Sequence, residues 1–122
     1  MEFYIGRNSS LPVLKMQVIK DGKHDIDGML QIIEESVLYF SMKDTKNGTY
    51  KILNSSAGFV EKVFLEPNAD VEYYLYYKFT KNDTSKVGRF EGEFLLKSEN
   101  GTLLLPIREQ LFINITESQI IT

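Results

Sequence analysis

The feature that most constrains this chain is a hydrophobic period of two. From Leu14 the sequence reads Leu-Lys-Met-Gln-Val, which puts Leu14, Met16 and Val18 on one face and Lys15 and Gln17 on the other. Arg89 to Leu96 repeats the pattern: Phe90, Gly92, Phe94 and Leu96 face one way, Arg89, Glu91 and Glu93 the other. A helix cannot segregate such a pattern, whereas a half-buried strand does so at every step. Further strand candidates are Val37–Met42, Tyr50–Leu53, Phe59–Leu65 and the tyrosine-rich Glu72–Thr80, with Leu111, Ile113 and Ile115 in a last strand. Asp21-Gly22, Lys43–Gly48 and Glu66-Pro67-Asn68 punctuate them, and Asn100-Gly101 predicts a tight hairpin into Thr102–Ile107. One short helical segment fits, Asp27–Ser36, through Met29, Leu30, Ile32 and Ile33. Seven to eight short strands with turns between them predict an antiparallel β-sandwich of two sheets. At 122 residues there is material for one core, without linker or repeat.

Composition then narrows the function classes. An apolar fraction of 43% with 25% charged residues describes a globular chain. No run approaches the roughly 18 apolar residues of a membrane span, and the start Met1-Glu2-Phe3-Tyr4 turns polar by Arg7, unlike a signal peptide. A formal charge of −3 argues against a surface built for nucleic acid or anionic lipid. There is no cysteine, so disulfides, thiolate zinc sites and cysteine nucleophiles are excluded.

Catalytic constellations are correspondingly scarce. The single histidine, His24, lies in the polar turn Lys20–Asp27, a poor setting for a desolvated base. Asp21, Asp25 and Asp27 share that turn, but the glutamate that closes an EF-hand loop is missing, and a solvated acidic turn is the better reading. Glu91 and Glu93 would lie about 7 Å apart on one strand face, a spacing that marks solvated charge rather than a glycosidase pair from two elements. The glycines are scattered singly and form no phosphate loop. No catalytic residue, metal site or cofactor is expected.

Two features look outward. In Glu72–Thr80, Tyr73, Leu75, Tyr77 and Phe79 would face the core, leaving Tyr74 and Tyr76 on a face otherwise charged by Glu72 and Lys78. Exposed tyrosines suit a protein contact, while internal packing and a sugar-stacking platform are the other readings. Six of the seven asparagines begin Asn-x-Ser/Thr triplets, at Asn8, Asn47, Asn54, Asn82, Asn100 and Asn114. Such triplets serve as glycan acceptors on secreted proteins, but Asn-Gly-Thr and Asn-Asp-Thr are also turn strings, and turns are the preferred reading.

A family resemblance rests on Tyr73 to Ile115. The run Tyr-Tyr-Leu-Tyr-Tyr-Lys-Phe-Thr leads through a turn to Gly88, Phe90 and Gly92, and the hairpin after it ends at Pro106-Ile107. This resembles the immunoglobulin-like domains of tailed-bacteriophage virion proteins, in particular the N-terminal domain of baseplate upper proteins. About 85 residues, Ile32 to Ile115, are covered, with Ser36–Lys43 as the early strand. The resemblance implies an immunoglobulin-like sandwich with a structural corner at Gly88, Phe90, Gly92 and Pro106. Phe90 stands where immunoglobulin domains usually carry a tyrosine whose hydroxyl bonds back to the turn. It also implies a non-enzymatic virion component of tail or baseplate, assembled in the bacterial cytoplasm as an adaptor. Its partners would be other virion proteins and copies of itself, with no nucleic acid and no membrane. Candidate contact residues are Phe3, Tyr4, Tyr74, Tyr76 and Ile121, with Phe3-Tyr4-Ile5 and Ile120-Ile121 as short arms that pair with a neighbour's sheet or cover their own domain. A neck, collar or capsid decoration protein would use the same fold, and a module binding host glycans is the alternative of a different class.

Overall fold

Each alternating segment becomes a strand with its apolar face turned inward. The computed structural model describes residues 1–18, 33–62, 72–106 and 109–117. Among these residues nine strands occur: β1 (Glu2–Gly6), β2 (Leu14–Gln17), β3 (Val37–Asp44), β4 (Tyr50–Ser56), β5 (Gly58–Lys62), β6 (Glu72–Tyr77), β7 (Gly88–Ser98), β8 (Gly101–Leu105) and β9 (Leu111–Thr116). The first sheet runs β1-β9-β7-β3-β4, with β8 also paired to β7, and the second runs β2-β6-β5. With β2 as B, these orders read B-E-D against G-F-C-C′, the immunoglobulin arrangement. The fold is an all-β, immunoglobulin-like sandwich.

The long β7 organises the larger sheet. All eight residues of β3 pair with it antiparallel, from Val37↔Lys97 to Asp44↔Phe90. Its other edge is shared, the first half by β9 and the second by β8. The two-residue connection Glu99-Asn100 joins Ser98 to Gly101, so the hairpin tip sits one residue earlier than its Asn-Gly string predicts.

The core lies where the sheets meet. Leu14, Met16, Phe40, Met42, Leu75, Tyr77, Phe79, Phe90, Phe94, Leu96, Leu111, Ile113 and Ile115 are all buried. Phe40 of β3 stacks on Tyr77 of β6 with ring centroids 4.6 Å apart, and lies 5.1 Å from Phe94. Rings from both sheets thus interlock, and truncating one such phenylalanine costs roughly 3–5 kcal/mol.

Of the two readings of the N-terminal segment, the structure takes the second: Phe3-Tyr4-Ile5 belongs to strand β1, paired in parallel with β9 of its own chain from Glu2↔Phe112 to Gly6↔Thr116. Phe3 consequently turns inward, half-buried, and stacks 5.9 Å from Phe79, while Tyr4 points outward. The nine described strands stand close to the expected seven to eight, and β1 adds one parallel ladder to an otherwise antiparallel sandwich. Residues 33–35 are helical, which falls within the expected short helix, while its residues 27–32 lie outside the described set.

Candidate interaction surfaces

The structural corner forms as its residue types require. Gly88 has φ 156°, a backbone region that L side chains rarely adopt, and Phe90 two residues later is buried at the start of β7. A Cβ on Gly92 would stand 2.6 Å from Ile113 Cδ1 and 2.9 Å from Phe40 Cζ, so this position is closed to any side chain. Pro106 directly follows β8, beyond the last paired residue, where its missing N–H costs no ladder bond. Ile107 lies outside the described residues.

The bonding-back that Phe90 cannot supply comes from the preceding strand. The Tyr77 hydroxyl lies 2.8 Å from Asp83 Oδ2, in the β6–β7 loop, and 3.1 Å from Ser55 Oγ. Asp83 Oδ2 also accepts the Thr80 N–H at 2.9 Å, and the Asp83 N–H reaches Thr80 Oγ1 at 3.2 Å, a reciprocal clamp on the loop. Burial, with help from Asp83, pushes the Tyr77 hydroxyl up to about 12 despite the opposing bond to Ser55. Beside it the buried Thr84 donates to Ser9 O at 2.8 Å, tying this loop to the segment after β1. No local sequence signal announces the Tyr77–Ser55 and Thr84–Ser9 bonds, because their partners come from different loops and strands.

The tyrosine face behaves differently from its neighbours. Tyr76 is 37% exposed on the outer side of β6, opposite Lys15 of β2 and Gly58 of β5. Its ring lies across Gly58: a Cβ there would overlap Tyr76 Cζ and Oη. The glycine therefore makes room for the ring to lie flat on the sheet. Tyr74 is half-buried and paired with Gln17 and Val60. The two tyrosines share a face, but Tyr76 is the more exposed. Tyr4 stands 61% exposed on β1, on the far sheet. Ile121, His24, Asp21, Asp25 and Asp27 lie outside the described residues.

On the outer face of the larger sheet, Tyr39, Leu95 and Leu104 sit in direct register across β3, β7 and β8. Leu104 is 49% exposed, and Val37 is exposed one step along β3. Glu91 and Glu93 lie on this face beside Ser41, Lys43 and Tyr50, around a shallow hollow with room for about one water molecule. Nearby, Arg89 lies 4.0 Å over the Phe112 ring and pairs with Glu2 at 3.1 Å.

Four of the six Asn-x-Ser/Thr triplets begin at turns. Asn8 takes φ 60°, Asn47 Oδ1 accepts the Thr49 N–H at 3.0 Å, Asn82 O accepts the Ser85 N–H at 3.2 Å, and Asn100 sits in the β7–β8 hairpin. The other two are in strands. Asn54 has φ 51° at a β3–β4 register shift, where Ser41 Oγ accepts its N–H at 2.9 Å. Asn114 of β9 donates Nδ2 to Glu2 Oε1 at 3.0 Å.

Asp44, at the end of β3, accepts the Lys46 N–H at 2.8 Å and pairs with Lys86 at 3.3 Å. The Lys46 backbone bond is the main reason its carboxyl is held below the usual carboxylate range. Among the described residues no group of histidines and carboxylates is placed to hold a metal ion, and no helix is long and apolar enough to cross a membrane. No protein-family model, curated protein or solved structure matches the chain.

Proposed function

We propose that this chain is a non-enzymatic structural component of a tailed-bacteriophage virion, of the tail or baseplate, that joins neighbouring proteins through its sheet edges. The observation that carries the reading is the β8 edge. Exposed edges are ordinarily guarded by charge, proline or bulges. Here β4 carries the register shift at Asn54, and β2 follows Pro12, but β8 is Gly-Thr-Leu-Leu-Leu with no charge and no proline inside it. Leu104 extends that edge into the apolar row of Leu95 and Tyr39. A partner strand added there would gain main-chain hydrogen bonds and cover the row. The resemblance over Ile32–Ile115 supplies the setting, and a neck, collar or capsid position would use the same edge.

The test is co-expression with the proteins encoded beside it, followed by light scattering of the purified material. A stable complex that Leu104→Lys disrupts, with the melting temperature unchanged, supports the reading. A chain that ignores every neighbour defeats it.

A second reading, recognition of a host glycan, is favoured by the flat, half-open ring of Tyr76 on Gly58, since such a ring can stack on a sugar face. Under it, Tyr76→Ala abolishes glycan-array binding and leaves assembly intact.

A further inference from the structure

Among the described residues, the two ends of the sandwich carry opposite charge. Hydrogen bonds gather three distant segments at the end where β7 begins. Arg7 Nε donates to Ser85 O at 3.1 Å, Asn8 N to Thr84 O at 3.0 Å, and Lys51 Nζ to Ser85 Oγ at 3.1 Å. Lys86 reaches Asp44. Six basic side chains collect here: Arg7, Lys46, Lys51, Lys78, Lys81 and Lys86. Three acids accompany them, and each is engaged: Asp44 by Lys86, Asp83 by Tyr77 and Thr80, and Glu117 by Arg7 at 3.1 Å. Lys46, Lys78 and Lys81 are exposed, and none forms an ion pair among the described residues.

The opposite end is acidic. Glu34 and Glu35 precede β3, and Glu99 occupies the tip of the β7–β8 hairpin, next to the register pair Val37↔Lys97. All three glutamates are exposed, and Lys97 of β7 lies beside them. The whole chain has 14 basic and 17 acidic residues, so the gathered lysines and arginine leave eight basic and fourteen acidic residues elsewhere. The basic end is thus a local reversal of the net charge.

We propose that copies of this chain dock head to tail, the lysine-rich end of one against the Glu34–Glu99 end of the next. The argument is charge complementarity between two surfaces of one molecule, which steers encounter and fixes orientation. The contact is heterologous, so it builds rings or stacks rather than a two-fold dimer. The inference deepens the adaptor reading by naming a second copy as partner, and it uses a surface separate from the β8 edge.

A charge swap tests it. Sedimentation of the wild type is expected to show association at low salt that weakens about tenfold or more between 50 and 300 mM salt, as screening shortens the reach of the exposed charges. Lys46→Glu with Lys78→Glu and Lys81→Glu, and separately Glu34→Lys with Glu99→Lys, each give a monomer with an unchanged circular dichroism spectrum. Mixing the two variants restores association, because one then presents two acidic ends and the other two basic ends. A monomeric wild type, association indifferent to salt, or no restoration on mixing overturns the proposal. So does tight binding of a labelled oligonucleotide by a wild type that stays monomeric. If head-to-tail docking fails while a complex with neighbouring virion proteins persists, only the present inference falls.

Discussion

Gly58 and Gly92 are both covered by an aromatic ring, yet one faces water and the other faces the core. At Gly58 the ring tip of Tyr76 lies over the strand from the solvent side. At Gly92 the neighbours are Phe40 and Ile113, which are fully buried and held between two sheets. The same absent Cβ therefore has different meanings. On the outer face it lets a ring lie flat, and that ring can lift away. In the interior it is a volume already filled, and close-packed neighbours have nowhere to go.

The largest expected effect is at the buried glycine. Gly92→Ala should destabilise by about 1–3 kcal/mol, the usual cost of overpacking, measured by denaturant unfolding. Adding Phe40→Leu should recover part of that loss, and strict additivity of the two changes would break the comparison. Next comes the buried hydroxyl of β6. Tyr77→Phe should cost about 1 kcal/mol through the bonds to Asp83 and Ser55. It also has a pH signature. The folded value of about 12 lies above the ordinary 10.0, so the native state holds its proton more tightly. The resulting stability is fully present below pH 10 and is lost as pH rises through about 12, a decline that Tyr77→Phe removes. Smaller still is Gly58→Ala, expected below about 1 kcal/mol because only an exposed ring must move. Its readout is a rise in Tyr76 accessibility, visible in tyrosine fluorescence quenching. Last, Tyr76→Phe should change stability by less than about 0.5 kcal/mol, since its outer hydroxyl makes no hydrogen bond among the described residues. A larger loss at Gly58 than at Gly92 would reverse the picture of which face is rigid.

At the acidic end of the pH scale, Asp44 gives the opposite sign. Its lowered value means that its contribution is present above the ordinary 3.8 and is lost as pH falls through the folded value. Asp44→Asn should flatten that acid limb of a melting-temperature profile, leaving the alkaline limb of Tyr77 unchanged.

Much of the sandwich was legible because alternation is a local signal. Leu14, Met16 and Val18, Phe90 to Leu96, and Leu111, Ile113 and Ile115 all turn inward as their spacing predicts. The strand β1 escaped that logic. Five residues give barely two cycles of alternation, and their partner β9 is over a hundred residues away. The flat seat of Tyr76 was equally silent, since Gly58 and Tyr76 meet only once β5 and β6 are in register. The corner motif gave the right place for Gly88 and Phe90 but not the substitute for its missing hydroxyl, because Tyr77 lies thirteen residues upstream of Phe90. The basic end is dispersed over three turns and loops and strand β4, and a net charge of −3 conceals it.

The parallel ladder between β1 and β9 also bears on how the fold answers tension. Pulling backward on Glu2 and forward on Thr116 drives the two strands past each other along their common axis. Hydrogen bonds of a parallel pair are spaced evenly, so that motion strains the whole ladder together instead of opening it bond by bond. Ile5 and Phe3 would have to slide across the core at the same moment. A domain strung in series with others through these two strands would meet such a pull with its stiffest joint.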